Sequence, residues 1–341
     1  MKQKFCASPS FVPMAMILGS IVGLAVTGLV FCWAHVERLH DIGGVTSRWY
    51  YFNRQTAWNV LGLSAFVMAI IVGWKRWLTA APFVFAVWVA LWFIAHMQPL
   101  VDGSSTFVHL GPISLGVWSL FPVAFALLAA WLRKRYGDRA KRILFVAGVV
   151  AFAAITVHVA TNANRMTHLA AFFAGERDPG MSPGACARSF VQTQTCKALD
   201  QAQWFVSTDV EILRNTPGNM TYSMPASSAV MFGKWFMTTA WVFFALITLG
   251  LACLWRRTED KAKRAFLLIS GLGIIVPTIL GHCQCLGLVP MLYISIPIVS
   301  NDTTAVLATW LGAGILVSAA VDTRIGGSQS WRARPQDIVP S

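Results

Sequence analysis

Long apolar runs separated by short polar hinges dominate this chain. Windows of about 17–25 apolar residues, the length needed to cross a hydrocarbon core, fall at 11–34, 57–73, 78–95, 113–132, 143–161, 236–254, 265–281 and 304–321. The pattern predicts an all-α polytopic membrane protein with about eight transmembrane helices. Pro122 and Pro277 lie inside two of the runs, which membrane helices tolerate because neighbouring groups satisfy the freed backbone. One segment breaks the pattern. Residues 162–235 carry Arg165, Glu176, Arg177, Asp178, Asp209 and Glu211 among helix breakers such as Pro179, Gly180, Pro183 and Gly184. A membrane core would not accept it, so it is expected as one large loop outside the bilayer. Such excursions are where membrane proteins tend to keep their chemistry.

Composition agrees and excludes the soluble classes. Hydrophobic residues make up 56%, charged residues 12%, and mean hydropathy is +0.60. A net charge of +13 would suggest nucleic acid in a soluble protein. Here the basic residues sit in hinges, where orientation in a bilayer explains them; membrane lipids are the expected partners and nucleic acid is not. With the N-terminus inside, the inner pieces carry 18 Lys/Arg and the outer pieces 9. Six of those nine lie in the 162–235 loop, where charge hardly influences orientation. Both termini are therefore expected in the cytoplasm and the loop outside. The run 11–34 follows Lys2 and Lys4 but is too long for a signal-peptide core. It also ends in Cys32-Trp33-Ala34, without a small-x-small cleavage site, and is read as a retained first span.

An outer loop faces an oxidising compartment, and Cys186 and Cys196 stand ten residues apart within it, well placed for a disulfide. Cys6, Cys32 and Cys253 lie in or near spans. His282-Cys283-Gln284-Cys285 lacks a convincing fourth ligand, so packing or a disulfide is favoured over a metal there. Neither metal nor cofactor is expected.

Four segments, in order, resemble the FtsW/RodA/SpoVE (SEDS) family of bacterial cell-wall membrane proteins. Tyr50-Tyr51-Phe52-Asn53-Arg54-Gln55, then Trp58 and Leu61-Gly62-Leu63, resembles FYFLRRQ-x-x-W-x-x-x-G at the start of the second span. Asp102-Gly103 and His109-Leu110-Gly111-Pro112-Ile113-Ser114-Leu115 resemble NGARRWI-x-LGPFSLQPSE. Arg165, Ala171-Phe172-Phe173 and Asp178-Pro179 resemble the step into the family's large outer loop. Leu286-Gly287-Leu288-Val289-Pro290 and Ile296-Pro297-Ile298-Val299-Ser300 resemble GLLP followed by LPFVSYGGSS. The resemblance covers roughly 11–324. It is to a shortened member, because between 133 and 165 there is room for one span where the family has three. Losing a pair leaves later segments on their original side, so the family topology agrees with the charge pattern.

The resemblance implies lipid II glycosyl transfer in the bacterial inner membrane, and the departures bear on that activity. The family's essential loop Asp lies in PEAHTDFIFA; the matching stretch, Pro225 to Phe232, places Val230 at the Asp and Ala226 at the Glu. A valine cannot accept a proton from a sugar hydroxyl. The ARRW cluster reads Ser104-Ser105-Thr106-Phe107, without its two cations, and QPSE reads Gly116-Val117-Trp118-Ser119, without its carboxylate. YGGSS reads Asn301-Asp302-Thr303-Thr304, and the spans carrying QPDLGT are among those missing.

Arg54 and Arg165, with Ser300, are the candidate substrate-binding residues. Each arginine is either a phosphate contact or an interface residue reaching for headgroups. Asp209 and Glu211 are the acids left in the loop that could have taken over as base, or they form a solvated face. Asp302 is expected to cap the last span, and the tryptophans at span ends belong to interfacial belts. The expected function is a SEDS-like envelope protein of cell shape, division or peptidoglycan assembly, degenerate at its glycosyltransferase site. Partners implied by the resemblance are undecaprenyl-linked lipid II and a single-span penicillin-binding protein. The alternatives are an active enzyme with a relocated loop carboxylate and a purely structural scaffold. A coupled transporter is disfavoured, because no span carries paired ionisable residues.

Overall fold

The computed structural model describes residues 11–39, 49–97, 107–110, 113–146, 148, 195, 198–207, 224–286, 288–289, 296–299 and 302–330. In chain order these form α1 (Phe11–Leu39), α2 (Tyr50–Val72), α3 (Trp74–Met97), β1 (Phe107–Leu110), β2 (Ile113–Gly116) and α4 (Val117–Tyr136). They continue with α5 (Met224–Phe232), α6 (Lys234–Arg257), α7 (Lys261–Cys285) and α8 (Thr303–Ser330). Among the described residues, seven helices are long and apolar enough to cross a membrane: α1 to α4 and α6 to α8. They match seven of the eight predicted runs. Of the run at 143–161, residues 143–146 are helical and most of the rest lies outside the described residues.

Two boundaries differ from the sequence reading for a physical reason. The run at 113–132 begins as strand: β2 pairs antiparallel with β1, in register Phe107↔Gly116 through Leu110↔Ile113, and α4 starts only at Val117. A short apolar strand that runs straight into an apolar helix merges with it in a hydropathy window. The hairpin is anchored by Val108, which is buried with Ala95 and Val117, and by the Trp88 indole N–H donating to the Val117 carbonyl at 2.9 Å. The second span starts at Tyr50 rather than 57, so Arg54 and Gln55 lie inside α2.

Outward faces are apolar. Val60, Leu61, Val67, Met68 and Ile71 on α2 and Leu268, Leu272, Val276 and Ile279 on α7 are exposed, as a belt in contact with lipid requires. In water so large an apolar surface would aggregate. The middle of the bundle is α8, whose span is 61% buried against 17% for α2 and for α3. It packs most extensively on α2, while α7 and α3 pack on α4 and α1 packs on α6. Small residues permit the α2–α8 contact. A Cβ at Gly314 would stand 2.5 Å from the Phe66 carbonyl oxygen, so only glycine lets these backbones meet. Nearby, the Trp310 indole N–H donates to Asn59 Oδ1 at 3.2 Å.

The basic hinges gather at one end. Asp138, in the turn after α4, accepts a hydrogen bond from Arg133 at 2.7 Å and lies 3.8 Å from Lys261 at the start of α7. The Arg133 hydrogen bond, then the Lys261 and Arg133 charges, hold the Asp138 carboxyl below the usual carboxylate range. This bridge therefore persists through mildly acidic pH and is lost only as pH falls through that lowered value. Lys263 is buried and donates to the Ala319 carbonyl at 2.9 Å, and Trp74 packs edge-on against Phe266. The hinges at 73–77, 133–142 and 255–264 and the last turns of α8 thus share one end, as the charge pattern predicts.

Candidate functional site

The end opposite the basic hinges is built around α5. This helix, within the stretch expected to be outer loop, is packed inside the bundle: Met224 through Met231 are all buried. Its sequence, MPASSAVMF, carries no charged side chain, and its polar side chains are the hydroxyls of Ser227 and Ser228. Val230 is fully buried. Ser228 donates to the Pro225 carbonyl at 2.9 Å, which settles its hydroxyl within the helix.

Beside α5 lies a cavity of about 10 Å³, bordered by Thr27, Met224, Ser228, His282, Ile296 and Val299. That is room for about one water. Its polar side chains are engaged locally. Thr27 donates to Gly23, and the His282 Nδ1 lies 2.8 Å from the Thr278 carbonyl, with the Trp241 ring 4.5 Å from its own. Among the described residues, no carboxylate borders the cavity. Cys283 and Cys285 are not joined in a disulfide, so the disulfide reading of that pair does not hold, and no group of three metal-ligating side chains occurs among the described residues.

Residues 296–299 close this end against α1 and α2. Ile298 adopts φ 63°, a left-handed conformation that a β-branched residue enters only when its surroundings over-determine it. Its carbonyl accepts a hydrogen bond from Gln55 Nε2 at 3.2 Å; Gln55 is fully buried and its Oε1 has no partner among the described residues. Next to it on α2, half-buried Arg54 reaches Tyr50, with Nη1 3.4 Å from the hydroxyl and the guanidinium over the ring. No carboxylate pairs with Arg54 among the described residues.

The last span begins as expected. Asp302 Oδ1 accepts from the backbone N–H groups of Thr304 and Ala305, both at 3.1 Å, capping α8. Its Oδ2 accepts from the Ser119 hydroxyl at 3.1 Å, and Thr304 Oγ1 accepts from the Gly116 N–H at 2.8 Å. Ser119 is the position where the resemblance calls for a carboxylate. The structure supplies one from α8 instead. The pairing joins residues 183 apart, so no local spacing could reveal it; a lone acid at the mouth of an apolar run was the only hint. Replacing Asp302 by alanine should cost about 1–2 kcal/mol, a typical cap loss, whereas asparagine, which also caps, should keep most of it. Thermal unfolding of the detergent-solubilised variants measures the difference.

Of the candidate site residues, Arg54 and Val230 are placed at this end. Arg165, Asp209, Glu211, Ser300, Cys186 and Cys196 lie outside the described residues, as does most of the segment in which two spans were expected to be missing.

A buried short helix and a hairpin at one end, with a basic opposite end, define a polytopic, all-α membrane protein apart from one hairpin. Its fold is that of RodA. The Thermus thermophilus rod shape determining protein RodA matches with TM-score 0.56, 16% identity, and 90% of this chain aligned to 96% of that one. Its aspartate-to-alanine mutant matches with TM-score 0.61, 16% identity, and 90% aligned to 97%. A chain from a peptidoglycan synthase complex that coordinates polymerization and crosslinking matches with TM-score 0.59, 14% identity, and 89% aligned to 97%. No family model and no curated protein matches the sequence.

Proposed function

We propose that this is a SEDS-type envelope protein of cell shape, division or peptidoglycan assembly that has lost lipid II polymerisation while keeping the family's architecture. The observation that carries the reading is Val230: the position resembling the catalytic Asp is an aliphatic residue with no exposure, on a helix without a charged side chain. The RodA fold supports a peptidoglycan-related role. The synthase-complex match supports a single-span penicillin-binding protein as partner. In this reading the protein lies in a bacterial inner membrane with cytoplasmic termini. Arg54 faces the lipid-linked substrate together with Arg165 and Ser300, and Cys186–Cys196 closes the outer loop.

Binding without turnover is the signature to seek. Native mass spectrometry of the purified protein with lipid II should show a retained complex. Arg54→Gln should weaken it about tenfold, the loss of one charge-assisted phosphate contact. Equal retention by wild type and variant would remove Arg54 from the site.

A further inference from the structure

A second site lies at the other end of the molecule, where α2 passes into α3 through one residue. Gly73 has φ 81° and ψ 149°, a conformation essentially restricted to glycine. It lets α3 begin at Trp74, directly after α2 ends. The hinge and residues Ser318 and Val321 of α8 border a groove of about 280 Å³. Ile70, Val72 and Val321 form its apolar wall, and Lys75, Arg76 and Ser318 its polar one.

Three features of this groove point to one ligand chemistry. Lys75 and Arg76 are adjacent and exposed, and Arg76 has no ion-pair partner among the described residues. The start of α3 also favours anions, because the first turn of a helix leaves N–H groups without intrahelical partners. The third feature is Ser318. Hydroxyls in membrane helices commonly donate to the carbonyl four residues back, as Thr56, Ser64, Thr248, Thr278 and Thr309 do here. Ser318 is 5% exposed, lines the groove, and its hydroxyl has no partner among the described residues.

We propose that this groove binds the phosphate of an anionic phospholipid. Arg76 and Lys75 neutralise its charge, the Ser318 hydroxyl donates to a phosphate oxygen, and the acyl chains lie along Ile70, Val72 and Val321. Free phosphate would share the polar contacts but leave the apolar wall unused. The inference does not depend on the function proposed above, because every residue in it lies at the opposite end from α5.

The test is native mass spectrometry of the purified full chain, titrated separately with phosphatidylglycerol, phosphatidylcholine and inorganic phosphate. Phosphatidylglycerol should be retained in preference to the other two. Arg76→Gln should weaken it about fivefold, the usual worth of one basic residue at an anionic lipid surface. Ser318→Ala should weaken it severalfold without lowering the thermal unfolding temperature, since no intramolecular bond is lost. Both residues can be changed without disturbing packing, so misfolding does not obscure the result. Unchanged phosphatidylglycerol affinity in both variants would overturn the proposal, and so would phosphatidylcholine or inorganic phosphate binding as tightly as phosphatidylglycerol.

Discussion

Alkaline phosphatase fused after Gly218 should be active in cells, and the same enzyme fused after Gly137 should be inactive. The difference is expected to be all-or-none, because the reporter folds only outside the cytoplasm. The expectation rests on 18 basic residues in the hinges assigned inside against 9 outside, and the structure adds an independent constraint. Lys261 lies 3.8 Å from Asp138, and Lys263 reaches Ala319. The hinges after α4 and α6 and the last turns of α8 therefore share one end of the bundle. They cannot face opposite sides of a membrane, so the reporters test the whole set at once. The reverse pattern would place the Cys186–Cys196 loop in a reducing compartment and overturn both the orientation and the disulfide.

Val230→Asp should restore no activity and should destabilise the protein by about 2–4 kcal/mol, as burial of a polar group without a partner does. Val230 is fully buried, as are its helix neighbours Ala226, Ala229 and Met231. A carboxylate there would lose its hydration and be held protonated by burial, the form that cannot act as a base. Val230→Thr, similar in shape and uncharged, should cost less than Val230→Asp. Thermal unfolding in detergent ranks the three proteins. A Val230→Asp variant as stable as wild type would mean that the position opens to water, contrary to the packing of α5.

The spans were legible because crossing a membrane imposes a length and an apolar composition that few other structures share. The shared end of the basic hinges was legible for the same kind of reason, since positive charge marks one side. What escaped the sequence depends on contacts between distant segments. Ile113–Gly116 joined a helical window because a strand of apolar residues next to a helix leaves no polar boundary. Residues 224–232 follow a breaker-rich stretch and merge with it as loop in sequence, although they carry no charged side chain and their serine hydroxyls can bond within a helix, as Ser228 does. Asp302 was recognised as a cap from its place before an apolar run, but its bond to Ser119 required the fold. Ser318 carried no signal in sequence, because a serine in an apolar helix ordinarily satisfies itself.

Under the proposed function, the family's architecture is kept and its glycosyl transfer is lost. In the reaction the family resemblance implies, a carboxylate takes the proton from the attacking sugar hydroxyl, a contribution of about 10²–10⁴-fold. Cations holding the departing pyrophosphate can contribute a comparable factor. Val230 lacks the first, and Ser104-Ser105-Thr106 stands where the second is expected. The most direct measurement is lipid II polymerisation by the purified protein, alone and with a single-span penicillin-binding protein whose own crosslinking is blocked. The account predicts no glycan chains above the protein-free control in either case. Chains made by the unmodified protein and abolished by Asp209→Ala or Glu211→Ala would contradict it and show that the base had moved within the loop.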